Sequence, residues 1–139
     1  MENMRTIKFR GCSCGEWYYG NLYIRKHEEF GDCAYIIGYT EKPSTTIVDI
    51  NTIGQFTGLH DWNGKEIYEG DIIRGFDSKG EPVIHHIIYD DEEAGFVAVL
   101  KGSAKGDFGY GRCDQRWITE CEKEVIGNIY DNPELLKQE

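Results

Sequence analysis

The sequence predicts a mostly β protein that contains a small closed or partly closed barrel. Aromatic residues make up 13% of the 139 residues, and aromatic and β-branched side chains are favoured in strands. The 17 glycines suit short strands joined by tight turns. From about residue 54 to residue 130, five strand-like segments follow one another with turn signals about every 8–12 residues, which is typical of a small barrel.

Residues 1–53 predict an antiparallel sheet that packs against this barrel. Alternating polar and apolar residues, or runs of aromatic and β-branched residues, mark each strand. Gly20, inside the second strand, indicates a bulge or a close approach of two backbones. Pro43 marks a turn over residues 41–44, because proline cannot donate to a sheet. The predicted strands are residues 6–11, 17–25, 33–39 and 46–50.

The barrel segment begins with residues 55–58 and the hairpin signal Asn63-Gly64. A type I′ turn needs a positive φ at both central residues, and this dipeptide allows it. Gly70 marks a second turn before an apolar pair. A Gly-rich connection is expected over residues 101–111. The later predicted strands are residues 83–89, 96–100, 116–119 and 124–130.

The C-terminal residues predict a short helix. Asn132 can cap a helix, and Pro133 suits its first position because the missing N–H would have no partner there. No other segment shows a sustained helical period.

Charge and hydropathy bear on partners and location. The net charge of −10 argues against sequence-independent binding to duplex nucleic acid, which needs clustered cations. A local basic patch could form near the N-terminus, although a mixed, solvated face is the plainer interpretation. No apolar run approaches the roughly 20 residues that span a bilayer, and no signal peptide is recognisable, so we expect a cytoplasmic protein. The candidate patch consists of Arg5, Lys8, Arg10, Arg25 and Lys26.

The five cysteines predict free thiols in a reducing compartment. Cys12 and Cys14 are the only close pair. Cys113 and Cys121 are too far apart to complete a zinc signature of two matched clusters. We therefore expect ordinary cysteines, no metal site and no cofactor, with zinc at Cys12 and Cys14 as the open alternative.

Other candidate chemistry does not form a recognisable catalytic motif. His85 and His86 are adjacent in a predicted strand and point to opposite faces, so we expect one to be solvated and the other packed. The glycines of residues 101–111 lack the phosphate-loop pattern. Four carboxylates near the first hairpin do not match a calcium loop, and we expect them to be solvated. They are Asp61, Glu66, Glu69 and Asp71.

Aromatic residues supply the candidate interaction surface. Tyrosines crowd the predicted N-terminal sheet, where they could pack in the core, stack on bases or contact a protein. Of the two binding interpretations we favour protein contact, because the acidic balance opposes polyanions. The predicted surface comprises Tyr18, Tyr19, Tyr23 and Trp62.

Three segments of the chain are distinctive: MRTIKFRG at residues 4–11, IGQFTGL and DWNGKEIYEGDII at residues 53–59 and 61–73 (after Val48-Asp49), and EVIGNIYDNPELL at residues 124–136. Together they resemble the YopX family of phage and prophage proteins. The resemblance implies a single domain over residues 1–139, with an SH3-like barrel and an origin in the cytoplasm of a bacterium. It implies no established activity and no catalytic residues.

The leading hypothesis is a non-enzymatic protein-interaction module that binds a host or phage protein or associates with itself. One alternative is a nucleic-acid-binding accessory protein that uses a local basic and aromatic face. DNA mimicry by the acidic surface is a related idea. Another is an enzyme that depends on cysteine or histidine. The predicted parts are a sheet over residues 1–53, a barrel over residues 54–130 and a tail over residues 131–139.

Overall fold

The computed structural model describes residues 4–39, 44–104 and 110–138, and for Tyr110 the backbone alone. These residues form a mostly β protein with two antiparallel sheets, which confirms the predicted class. The chain divides into two compact units, Met1–Gly58 and Leu59–Glu139, close to the predicted start of the barrel part. The single domain stays a prediction. Most of the predicted turn at residues 41–44, and residues 105–109 of the Gly-rich connection, lie outside the described residues.

The first unit is an antiparallel sheet in which strands are hydrogen-bonded in the order β4-β3-β2-β1-β5. Strand β5 continues two residues past the boundary between the units. The hairpin of β1 and β2 turns at Cys14 and Gly15, which both have positive φ, at 52° and 83°. The strands are β1 (Phe9–Ser13), β2 (Glu16–His27), β3 (Gly31–Gly38), β4 (Thr45–Val48) and β5 (Gly54–His60).

A small core lies on one face of this sheet. Ala34, Ile36 and Val48 are buried there, as the alternation of strand side chains requires. Strand β1 passes close to β4, because a Cβ on Gly11 would lie 2.6 Å from Cγ2 of Val48. Partly buried residues complete the core: Phe9, Tyr18, Leu22 and Ile53.

Gly20 provides the close backbone approach that the sequence predicts. A Cβ at this position would lie 2.0 Å from the carbonyl oxygen of Ile37 on β3. We therefore expect Gly20→Ala to lower the free energy of unfolding by about 2–3 kcal/mol, because strands β2 and β3 must separate. Chemical denaturation measures this loss. Gly38→Ala is the matched control, since a Cβ on Gly38 meets nothing within 4 Å; equal losses in both variants would contradict the explanation.

The second unit contains an open, five-stranded antiparallel sheet in the order β10-β9-β8-β7-β11. Among the described strands this sheet forms no closed barrel, so the SH3-like barrel is not confirmed. A short strand, β6 (Glu66–Tyr68), follows the hairpin turn after β5. The sheet strands are β7 (Asp71–Phe76), β8 (Pro82–Asp90), β9 (Gly95–Leu100), β10 (Tyr110–Arg112) and β11 (Glu124–Asn128).

The predicted strand at residues 116–119 is wrong, because these residues belong to helix α1 (Gln115–Glu120). Asp114 caps the helix: its side chain accepts a hydrogen bond from the N–H of Trp117 at 2.9 Å. Ile118 is fully buried in the core of the unit. The local cap and this burial outweigh the strand preference of the Trp-Ile-Thr segment.

The predicted hairpin at Asn63-Gly64 is present, but its predicted turn type is wrong. The N–H of Gly64 donates to the carbonyl of Asp61 at 2.9 Å, and the N–H of Asp61 donates to Lys65 at 2.7 Å. Gly64 has a φ of 87°, whereas the φ of Asn63 is not positive. The loop is therefore a three-residue turn with glycine in the left-handed position, and not a type I′ turn.

The described chain ends in a single 3-10 turn, Pro133–Leu136, where the sequence predicts a helix. Pro133 occupies the first position as predicted. Asn132 does not cap the turn, because its Oδ1 accepts a hydrogen bond from the N–H of Asn128 at 3.2 Å. Every helix in the described part of the chain is too short to cross a membrane.

The core of the second unit gathers around β7, β8 and α1. Apolar side chains from the sheet and the helix meet there and exclude water. The buried members are Ile67, Ile73, Ile87, Ala98, Cys113 and Ile118.

Candidate functional site

An aromatic row crosses the exposed face of the first unit's sheet. We define it as Tyr23, Tyr35 and Ile47, which are direct cross-strand neighbours on β2, β3 and β4. The Tyr23 and Tyr35 ring centroids lie 6.1 Å apart, at an interplanar angle of 42°. Tyr23 is 55% exposed and Ile47 is 54% exposed. The row lies on the face opposite to the small core, because each member is adjacent in sequence to a core residue.

The structure separates the four predicted surface residues. Tyr19 is exposed on the same face of β2 as Tyr23. Tyr18 points to the other face and packs against the core, while its hydroxyl donates to Glu16 at 3.3 Å. The negative charge of Glu16 raises the pKa of Tyr18. Trp62 is exposed in the hairpin of the second unit.

Sequence reasoning overlooked Ile47 as a surface residue. It alternates with buried Val48 along β4, and that alternation is the signal that could have identified it.

The five cations near the N-terminus do not form one solvated patch. Arg10 is only 5% exposed, and its guanidinium lies 4.7 Å from the ring centroid of Trp17. The ammonium of Lys8 lies 5.2 Å from the ring centroid of Phe56. Arg25 and Lys26 are adjacent in β2 and therefore point to opposite faces. The prediction of a solvated face is thus wrong for Arg10. Fewer clustered, exposed cations remain to bind a polyanion.

The negative charge is concentrated in the second unit. Residues 59–139 contain 18 acidic and nine basic residues, which gives a net charge of −9. Residues 1–58 contain seven acidic and six basic residues, which gives −1. The aromatic row therefore belongs to a nearly neutral unit that does not repel a partner by net charge.

Two of the four hairpin carboxylates are buried, so the prediction that they are solvated is wrong for these two. Asp61 is 5% exposed, and its Oδ1 accepts hydrogen bonds from the N–H groups of Asn63 and Lys65, both at 2.9 Å. Its Oδ2 accepts from the N–H of Val125 at 2.9 Å. Asp71 accepts from the N–H of Tyr68 at 2.7 Å. Both carboxylates satisfy backbone donors that would otherwise be buried without partners.

A second cluster joins His85, Trp117 and Lys123 in the second unit. The rings of His85 and Trp117 meet edge to face, with centroids 5.0 Å apart. The ammonium of Lys123 lies 4.9 Å from the Trp117 centroid. Gly75 leaves room for the lysine, because a Cβ there would lie 2.7 Å from Cδ of Lys123. The cluster thus places an imidazole ring and an ammonium group around one indole.

Burial sets the protonation of this cluster. Burial, together with the positive charge of Lys123, lowers the pKa of His85 to about 4. Burial also lowers the pKa values of Lys123 and His86. Nδ1 of His85 and Nδ1 of His86 are fully enclosed with no hydrogen-bond partner. His86 is half-buried, whereas the sequence predicts that one of the two histidines is solvated.

The cysteines are free thiols in different surroundings. Cys113 is buried, and burial raises the pKa of its thiol to about 12. Cys14 and Cys121 are exposed, and Cys12 and Cys33 are half-buried. Among the described residues, no group of three or more His, Cys, Asp or Glu side chains is placed to hold a metal ion.

The chain is similar to known proteins in sequence and in fold. The family model described as YopX protein matches residues 8–137. The crystal structure of protein EF1440 from Enterococcus faecalis is similar with a TM-score of 0.58 and 26% identity, covering 96% of this chain and 100% of that one. Protein yopX from Bacillus subtilis is similar with a TM-score of 0.56 and 20% identity, covering 98% and 99%. No curated protein matches the chain significantly.

Proposed function

The chain belongs to the YopX family, and from this premise we propose that it is a non-enzymatic protein-interaction module. The aromatic row of Tyr23, Tyr35 and Ile47 carries the proposal. Contiguous exposed apolar side chains are unusual on a soluble surface unless they bind something. Tyrosine is enriched at protein interfaces because it offers a large, rigid contact area and a polar end.

The partner is a protein that presents an apolar surface to this row. The net charge of −1 in the first unit leaves apolar contact as the main attraction. Arg25 lies on the same face as Tyr23 along β2, so it can add a rim contact to a carboxylate of the partner. The dispersal and burial of the other N-terminal cations favour a protein partner over a nucleic acid.

The chemistry of the second unit favours binding over catalysis. The raised pKa of Cys113 keeps its thiol protonated at neutral pH, and a protonated thiol is a poor nucleophile. His85 packs edge to face against Trp117, and its lowered pKa keeps the imidazole neutral near pH 7.

The proposal includes an SH3-like barrel of phage or prophage origin in a bacterial cytoplasm. Two features support the barrel: β11 returns to pair with β7, and α1 lies between β10 and β11 in the chain. The bacterial sources of the similar proteins support the setting. The family resemblance supports the phage origin.

Capture from bacterial lysate tests the binding function. We expect the tagged chain to retain one protein in stoichiometric amount from lysate of Bacillus subtilis or Enterococcus faecalis, with or without nuclease. The double variant Tyr23→Ser and Ile47→Ser should lose it at least tenfold, because the apolar contact is removed while exposed substitutions leave the fold intact. Mass spectrometry identifies and quantifies the retained protein.

Phe76→Ser is the matched control, because Phe76 is similarly exposed but lies in the second unit. It should retain the partner like the parent chain. Retention that nuclease abolishes would replace the proposal with nucleic-acid binding, and equal retention by the double variant would exclude the aromatic row.

A further inference from the structure

The hairpin of β2 and β3 extends beyond its neighbouring strands. The last pair between β1 and β2 is Phe9 with Gly20, whereas β2 continues to His27. Strand β4 pairs with β3 only over residues 34–37. The outer edge of residues 21–27 is therefore hydrogen-bonded to no other strand among the described residues. We name residues 21–33 the arm.

The arm has the properties of a strand pair that lacks a neighbour. A two-stranded hairpin alone is marginally stable in water, and an open edge offers a row of backbone donors and acceptors to another strand. Apolar side chains are exposed on both faces, namely Tyr23 on one and Ile24 on the other. At the tip, Phe30 is 78% exposed, and its ring lies edge to face with the ring of His27, at 6.0 Å between centroids.

We propose that the arm pairs with the arm of a second copy of this chain. The two β2 edges run antiparallel and extend the sheet across a twofold axis. Such an isologous contact needs a strand that is complementary to itself. The available edge is seven residues long, and its midpoint is Ile24, which therefore lies on the axis.

The neighbouring strands and the charges select this register. If the axis passed through Tyr23, Lys26 of the second copy would face Gly20, whose edge is already occupied by β1. If the axis passed through Arg25 or Lys26, that cation would face its own copy, and like charges directly opposite each other are destabilising. The register centred on Ile24 avoids both conflicts.

The same register brings complementary side chains together. Arg25 of each copy faces Tyr23 of the other, which allows a cation–π contact. Lys26 faces Leu22, whose apolar side chain the lysine stem can cover while the ammonium stays in water. The two Ile24 side chains meet at the centre. The near-neutral first unit adds little repulsion to this contact.

Sedimentation over a range of concentrations tests the dimer. We expect the mass of the parent chain to double as concentration rises. The Ile24→Arg variant should associate at least tenfold more weakly than the parent chain and so remain a monomer, because the substitution places two cations together on the axis. A parent chain that stays monomeric at every concentration, or an Ile24→Arg variant that dimerises like the parent, would overturn the proposal.

Ile47→Arg is the matched control, since Ile47 is exposed on β4 and lies outside the arm. It should dimerise normally and lose the captured partner, so failure of the dimer and failure of the proposed function are distinguishable.

Ile24→Cys gives an independent test, because residues on a twofold axis between antiparallel strands are close enough for a disulfide. Mild oxidation should cross-link the Ile24→Cys variant to a greater extent than the parent chain, whose five cysteines set the background. The Phe30→Cys variant should not exceed that background. The reverse pattern would exclude this register.

Discussion

Asp61→Ala will destabilise the second unit by about 3–4 kcal/mol. One buried carboxylate accepts three backbone hydrogen bonds, two within the hairpin and one from Val125 on β11. Hydrogen bonds to charged groups are worth about 1.5–3 kcal/mol each, and losing the acceptor leaves the N–H groups without partners. Water can satisfy the hairpin donors in part, which keeps the total below the simple sum. Urea unfolding followed by tryptophan fluorescence measures the loss.

Asp77→Ala is the internal control for this prediction. Asp77 accepts from the N–H groups of Lys79 and Glu81 at 2.8 Å and 2.9 Å, so it repeats the turn geometry of Asp61. Its hairpin is exposed, and both of these bonds stay within the turn. We expect a loss of about 1 kcal/mol. If the two variants lost the same stability, the bond to Val125 would contribute nothing.

The second unit will lose about 2 kcal/mol of stability through His85 as the pH falls from about 6.5 to about 4. Its pKa is about 4 in the folded protein and about 6.5 when unfolded. Between these values the unfolded chain binds the additional proton, so stability is full above the higher pKa and falls with decreasing pH. The shift corresponds to at most about 3 kcal/mol, and partial solvent contact of the ring reduces it. Denaturation at closely spaced pH values measures the slope.

His85→Phe should flatten this pH dependence, because phenylalanine keeps an edge-to-face contact with Trp117 and cannot take up a proton. His27→Phe changes a histidine of the first unit and should leave the slope of the second unit as it is. Protonation of His86 acts in the same direction, since burial lowers its pKa as well. An unchanged slope in His85→Phe would show that other groups cause the acid sensitivity.

The elements that could be predicted are those whose signals are local. The β1–β2 hairpin, the close approach at Gly20, the turn at Asn63-Gly64 and the apolar strand β9 each follow from residues next to one another. Helix α1 was missed, although Asp114 provides a local cap signal, because the segment it caps is short and contains strand-favouring residues. Its conformation is decided by the burial of Ile118.

The candidate sites depend on contacts between distant parts of the chain. The aromatic row requires the register that places Tyr35 between Tyr23 and Ile47. The alternation of apolar residues gives each strand two faces but does not identify its neighbour. The predicted surface therefore included Tyr18, which packs against the core, and omitted Ile47.

By itself, the sequence determined the mostly β class, the family resemblance and the principal hairpins, because strand alternation and turn chemistry act over a few residues. Only the tertiary structure decided which carboxylates are buried, how His85, Trp117 and Lys123 meet, and where the arm loses its neighbouring strands. These properties depend on solvent exclusion and on strand register between residues far apart in the chain. Neither can be read from any one segment.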